Sequence, residues 1–195
     1  MSAVIRVATG ADAGDIAAIY APVVRESAAS FETVPPSEAE MAARIDQTEE
    51  RCPWLVYSRD GAVAGYAYAS PYRVRVAYQW SVEVTVYVGS DARRQGVGRR
   101  LYGALFAVLA HQGFRNVYAG ITLPNKSSVA LHRAVGFRPV GVYEQVGWKM
   151  DRWHDVGWWQ RSIGEHGAAP DPPRWLSAVD PEEVARVLGD ATGHG

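Results

Sequence analysis

Between Ser90 and Arg100 the chain reads SDARRQGVGRR, two glycines two apart among four arginines. Glycine lets a backbone approach an anion closely, and the free amides that open a helix carry partial positive charge, so such a turn suits a pyrophosphate. It lacks the third glycine of the dinucleotide fingerprint and the Gly-Lys-Ser/Thr of a P-loop, which argues against a nicotinamide or a nucleoside triphosphate. The plainer reading is a solvated basic helix start. In PYRVRVAYQW, Arg73 and Arg75 stand at i, i+2 spacing amid Tyr72, Tyr78 and Trp80. On a strand both guanidiniums would share a face and could clamp the carboxylate or phosphinate of an amino-acid-like molecule, with the rings excluding water. Solvated charges on an edge strand compete with that reading. Glu83 projects opposite a row of valines; it could serve as a general base or simply pair with an arginine. Asn125 and Ser128 stand at a helix start, where polar contact with a ligand and capping are both open. His132 follows Ser128 by one helical turn, so the two share a face; a lone histidine is more often structural.

The elements that must position these residues alternate between strand and helix. Val4–Val7 reads as a strand. Thr9 with Asp12, and Ser37 with Glu40, have capping-box spacing before helices, the second running toward Arg51. Trp54–Ser58 and Val63–Ser70 are strands joined by a hairpin at Asp60-Gly61. In Ser81–Val88 the valines at 82, 84, 86 and 88 alternate with Glu83, Thr85 and Tyr87, the pattern of a strand. Arg99–Gln112 has helical spacing of Leu101, Leu105, Val108 and Leu109, with Gly113 as its stop. Val117–Ile121 is a further strand, Ser127–Val135 a short helix, and the last third alternates Val, Trp and Tyr with turn glycines. These elements predict one mixed α/β domain over 1–163. A Gly/Pro-rich linker and a short helix opened by Asp180, Pro181 and Glu183 occupy 164–195.

Composition bounds the function. In 195 residues, 48% apolar and 11% aromatic, there is material for one core. Twenty basic against 21 acidic side chains give a formal charge of -1, so no global field draws the chain to nucleic acid or anionic lipid. The single cysteine, Cys52, rules out an internal disulfide and a multi-cysteine metal site, and no stretch reads as a signal peptide or a membrane span. The expectation is a cytoplasmic protein with no metal, no nucleic-acid partner and no membrane partner.

Arg93-Arg94-Gln95-Gly96-Val97-Gly98 resembles the R/Q-x-x-G-x-G/A motif of the GNAT acyltransferases, in its usual place between a strand and a helix. ITLPNKSSVALHRAVGF, 121–137, is similar to that family's second cofactor segment. WHDVGWWQ, 153–160, looks like the terminal signature of the branch that acetylates phosphinothricin and methionine sulfoximine. The likeness runs over roughly Ile5 to Ile163. It implies a mostly antiparallel mixed sheet, splayed at a cofactor slot and flanked by helices, with acetyl-CoA as cosubstrate. It assigns the backbone of Val86, Tyr87 and Val88 to the pantetheine arm and the turn from Arg93 to Arg99, through Arg94, Gln95, Gly96, Val97 and Gly98, to the pyrophosphate. Asn125 and Ser128 fall to contacts along the pantetheine and thioester, and Glu83 to the general base. His132 stands where many relatives carry a tyrosine and is acid, base or positioner. Phe31, Arg73, Arg75 and Tyr78 go to the acceptor, and the assembly implied is a homodimer. The implied reaction is direct attack by the amine of a small anionic amino acid on the thioester, in a ternary complex. The rivals are acetylation of a protein N-terminus or lysine, and a non-catalytic acyl-CoA sensor.

Overall fold

The computed structural model describes residues 3–167 and 170–192. The middle of the Gly/Pro-rich linker, at 168–169, and positions 193–195 of the C-terminal tail lie outside the described residues. The elements are β1 (Ala3–Val7), α1 (Ala13–Glu26), α2 (Glu38–Glu49), β2 (Trp54–Arg59), β3 (Ala62–Pro71), β4 (Ser81–Val88), α3 (Val97–Gln112), β5 (Asn116–Leu123), α4 (Lys126–Ala134), β6 (Arg138–Lys149), β7 (Arg152–Ser162) and α5 (Pro181–Thr192). Seven strands form one open sheet in the order β1-β2-β3-β4-β5-β7-β6, antiparallel throughout except between β4 and β5.

Local chemistry accounts for the boundaries. Ser37 accepts from the Glu40 amide while the Glu40 carboxylate accepts from the Ser37 amide, a closed capping box at the start of α2. Asp60 and Gly61 both have positive φ, the twist a two-residue hairpin needs between β2 and β3. At the entry to α1, Asp12 accepts from the Thr9 amide but is held chiefly by both terminal nitrogens of Arg6, each at 2.7 Å.

Two cores cover the two faces of the sheet. On one, α1 and α2 supply Ile16, Tyr20, Met41 and Ile45 against Trp54, Val56 and Tyr66. On the other, α3 supplies Leu101, Leu105 and Leu109 against Leu55, Ala67, Val82, Val84 and Val117. Strand β2 is buried on both sides, which is why Trp54, Leu55, Val56 and Tyr57 run apolar without alternation. The C-terminal tail joins the second core: Leu176, Val179, Val184 and Leu188 are buried in the cluster that contains Ile5 of β1. Its backbone is tied down by Leu176 N–H to the Arg51 carbonyl and by Arg174 N–H to the Gln112 carbonyl.

The feature that matters for function is a fork in the sheet. Strands β4 and β5 pair only from Ser81 with Asn116 to Glu83 with Tyr118. Past that point β4 stays with β3 as far as Val88, while β5 stays with β7 as far as Leu123. The facing edges of the two strands are left without a ladder partner.

Candidate active site

Glu83 sits at the base of this fork, the last residue of β4 paired to β5. By alternation it points with Thr85 and Tyr87 to the α1–α2 side, away from Val82 and Val84. Its carboxylate accepts from Arg73 Nη1 at 3.2 Å. Burial, the larger influence, pushes its pKa upward, and the charge and hydrogen bond of Arg73 pull it back.

The turn from Ser90 to Gly96 closes the other end of the fork. Gly96 has φ 79° and Arg94 φ 60°, and the left-handed glycine starts α3 with no side chain of the described residues capping its first amides. A Cβ on Gly98 would stand 3.0 Å from Leu131 Cδ2, so a larger residue there would have to push the Leu131 side chain of α4 aside. Helix α3 begins at Val97, two residues before the start expected from periodicity. Two of the expected anion-binding side chains are engaged in building the turn. Arg93 Nε donates to the Val88 carbonyl, fastening the turn to the end of β4, and Gln95 donates to the Asp91 carbonyl and accepts from Arg59. Arg94 and Arg99 remain exposed beside the glycines.

Asn125 proves to be the N-cap of α4: its Oδ1 accepts from the Ser128 amide at 3.0 Å and from the Ser127 hydroxyl at 3.1 Å. Ser128 and His132 do face each other. His132 Nδ1 lies 2.8 Å from the Ser128 carbonyl, which can only accept, so Nδ1 carries the proton. Nε2 then accepts from the Tyr102 hydroxyl at 3.0 Å. The ring is 4% exposed, and burial lowers its pKa, favouring the neutral form. Both nitrogens are therefore committed to the protein. Tyr102 gives no motif signal; only its place on the buried stripe of α3 could have pointed to it.

The segment from Tyr72 to Trp80 corrects the expected strand. Strand β3 ends at Pro71, which already pairs with Val82 near the start of β4, so nothing remains for residues 73 and 75 to pair with. The connection instead makes a short 3-10 turn at Val76–Tyr78, with Arg75 as its N-cap and exposed, and the two arginines do not share a strand face. Arg73 alone reaches the fork, its guanidinium 4.3 Å over the Tyr72 ring. Tyr72 stacks on Tyr118 at 4.4 Å and meets Tyr78 and Trp158 edge-on, so an aromatic wall does stand beside Glu83. Its members Tyr118 and Trp158 come from β5 and β7 and escaped sequence reasoning because their strands meet this loop only in the fold. Trp80 turns away and donates to the Asp171 carbonyl of the tail.

Phe31 lies in the connection between α1 and α2, its ring packed on Gly147 of β6 so closely that any Cβ there would overlap it. Buried Lys149 holds that connection, donating to the carbonyls of Val24 and Ser30, each at 2.7 Å. Neighbouring Glu32 is bound by Arg44 through both oxygens and by Tyr20. A cavity of about 1370 Å³ lies elsewhere, between β1, α2, α3 and α5; it touches Gly96 and Arg99 at its rim but not Glu83. Cys52 is buried in the core and its thiol is pushed up to about 12, so it offers no nucleophile. Among the described residues no group of three or more His, Cys, Asp or Glu side chains is disposed to hold a metal, and no helix is long and apolar enough to cross a membrane.

Comparison with known proteins agrees with this geometry. The acetyltransferase (GNAT) domain family matches residues 5–158. The phosphinothricin N-acetyltransferase of Streptomyces viridochromogenes is 42% identical over 175 residues, covering 90% of this chain and 93% of the relative. An L-methionine sulfoximine/L-methionine sulfone acetyltransferase of Pseudomonas paraeruginosa is 36% identical over 172 residues, covering 87% of this chain and all, 100%, of its own. Among solved structures, a phosphinothricin acetyltransferase from Sinorhizobium meliloti in complex with acetyl-CoA superposes with a TM-score of 0.84 at 38% identity, covering 92% of this chain and 98% of that one.

Proposed function

Since this chain belongs to the GNAT acetyltransferase family, we propose that it moves the acetyl group of acetyl-CoA onto the amine of a small anionic amino acid of the phosphinothricin, methionine sulfoximine or methionine sulfone type. The observation that carries this reading is the fork between β4 and β5 with Glu83 at its base and Arg73 upon it. The free edge of β4 from Val84 to Val88 offers backbone groups to the amides of a pantetheine arm, in the manner of an added strand. The uncapped start of α3, with Arg94 and Arg99 beside it, suits a diphosphate.

In this reading Glu83 accepts the proton of the attacking amine, and the Val86 amide donates to the oxyanion that develops at the thioester carbon. Arg73 and the Tyr72–Tyr118–Trp158 wall receive the acceptor; Arg75, Tyr78 and Phe31 border it. Because its two ring nitrogens are occupied, His132 acts as a positioner that ties α4 to α3 through Tyr102, with Asn125 and Ser128 fixing the same helix start. The acetyltransferase unit spans 1–163, and 164–195 is a tail whose segment from Arg174 to Leu188 packs upon it.

We also assign the protein to the cytoplasm and to a homodimer. The β6–β7 ribbon leaves Val142, Tyr143, Val146, Trp148, Met150 and Trp153 half or more exposed, a large apolar surface for a monomer. Light scattering on the protein and on Trp148→Glu tests this, with a dimer expected for the first and a monomer for the second.

Thiol release from acetyl-CoA, measured with phosphinothricin, methionine sulfoximine, methionine sulfone, ordinary amino acids and peptide N-termini, tests the reaction. Turnover concentrated on the anionic small amines is expected. Preference for peptides would favour a protein acetyltransferase, and tight CoA binding without turnover on any amine would favour a sensor.

A further inference from the structure

The carboxylate placed to act as base is bound by the arginine placed to receive the acceptor. Arg73 Nη1 donates both to Glu83 Oε1 at 3.2 Å and to the Tyr72 carbonyl at 2.8 Å. The guanidinium rests on the Tyr72 ring, which itself stacks on Tyr118, the strand partner of Glu83. The two side chains of the ion pair are 44% and 35% exposed, and a pair so open to water exchanges partners readily. Nε and Nη2 of Arg73 make no hydrogen bond to the described residues, so one edge of the fork-shaped group is available to a second anion. The residue also stands on a connection without strand pairing, where a change of rotamer disturbs no ladder.

Building on the acetyl-transfer reading, we propose that Arg73 is a latch on Glu83 worked by the acceptor's own negative charge. With no acceptor present, the arginine stays on the carboxylate and keeps it from activating water. An arriving carboxylate or phosphinate draws the guanidinium to itself and frees Glu83 as the amine comes into reach. The reaction so suppressed is hydrolysis. The oxygen of water bonds to the acetyl carbon and its proton passes to Glu83; the carbon–sulfur bond breaks, and the departing thiolate recovers the proton, giving acetate and CoA.

The groups around Glu83 make Arg73 the decisive one. Tyr68 faces it from β3 and Tyr118 from β5, while Arg44 and Glu32 act on Tyr68 and are paired with each other. Arg73 is the cation in contact. Burial raises the carboxyl and Arg73 opposes that rise, so departure of the arginine leaves a stronger base.

The test compares the intact protein with Arg73→Gln, Arg73→Lys and Arg73→Gln/Glu83→Gln. In carboxyl-labelled protein without CoA, followed by NMR, Glu83 is expected to titrate higher in Arg73→Gln than in the intact protein, and to shift upward in the intact protein on adding methionine sulfone. Acetyl-CoA hydrolysis without acceptor is expected to rise about tenfold in Arg73→Gln, to fall back in the double variant, and to stay low in Arg73→Lys. Hydrolysis by Arg73→Gln no faster than by the intact protein overturns the latch, as does a Glu83 titration unmoved by methionine sulfone. Failure of the acetyl-transfer reading would look different: no N-acetyl product from the intact protein with any amine.

Discussion

Replacing Gly96 by alanine tests the phosphate turn without altering any side chain of the site. Gly96 has φ 79°, and a Cβ built there meets nothing within 4 Å, so the penalty is that of the backbone alone and not of packing. An L-residue held in the left-handed region costs roughly 1–2 kcal/mol. The protein has two ways to absorb this. If the turn keeps its shape, the folded state loses that amount, which for a chain of this size lowers Tm by about 2–8 °C. If the turn relaxes, the amides of Val97 and Gly98 leave their positions and the cost appears as about 5- to 30-fold weaker CoA binding. Thermal melts and calorimetric titration with CoA together should account for the 1–2 kcal/mol, as a sum of roughly that size. Gly96→Val should lose more, since a β-branched residue fits the left-handed region worse. Gly103→Ala is the control: it lies exposed within α3 with no neighbour within 4 Å, and should stabilise the protein by about 1 kcal/mol while sparing CoA affinity. Gly96→Ala with unchanged Tm and unchanged CoA affinity would show that the turn's left-handed geometry is not what holds the cosubstrate.

Other substitutions probe the site from different sides. Glu83→Gln keeps an oxygen for Arg73 but cannot take a proton, so kcat should fall about 10²- to 10⁴-fold with CoA affinity intact, and the acidic limb of the pH–rate profile should vanish. An unchanged profile would remove Glu83 from the mechanism. For His132 the folded pKa lies below the ordinary 6.5, so the unfolded chain binds the proton more readily and stability is lost as pH falls through about 6.5 and below. Melting temperatures taken from pH 7.5 to 5 should decline less steeply in His132→Gln than in the intact protein. Lys149→Met removes two charge-assisted hydrogen bonds to Val24 and Ser30, a loss of about 3–6 kcal/mol. Through the loosened Phe31 segment it should raise the acceptor KM while leaving the CoA Kd unchanged. Equal effects on both ligands would argue that Lys149 serves the fold as a whole.

What could be read without coordinates was local chemistry. The valine alternation marked β4 residue for residue, Asp60-Gly61 marked the β2–β3 hairpin, and the glycine pair marked the start of α3 to within two residues, because each signal is complete within a few neighbouring residues. Arg73 and Arg75 misled for the same reason. Their alternation is a valid strand pattern, but a strand needs a partner, and the β3–β4 register had already used Pro71 and Val82. The partnership of Tyr102 with His132, and that of Tyr72 with Tyr118, span 30 and 46 residues, and nothing in either neighbourhood announces them. Arg93, Gln95 and Asn125 were read as cofactor contacts, yet in the fold their side chains shape the backbone, a distinction that residue type alone does not make.

The packing of the tail against the first strand bears on how the molecule is made. Ile5 emerges from the ribosome early, whereas Leu176, Val184 and Leu188, which share its apolar cluster, emerge more than 170 residues later. A nascent chain can assemble β2, β3 and β4 with α3, but one side of that assembly stays wet until α5 clears the exit tunnel. Synthesis halted before Leu176 should therefore leave that apolar side of the sheet exposed, a sticky surface that invites chaperones.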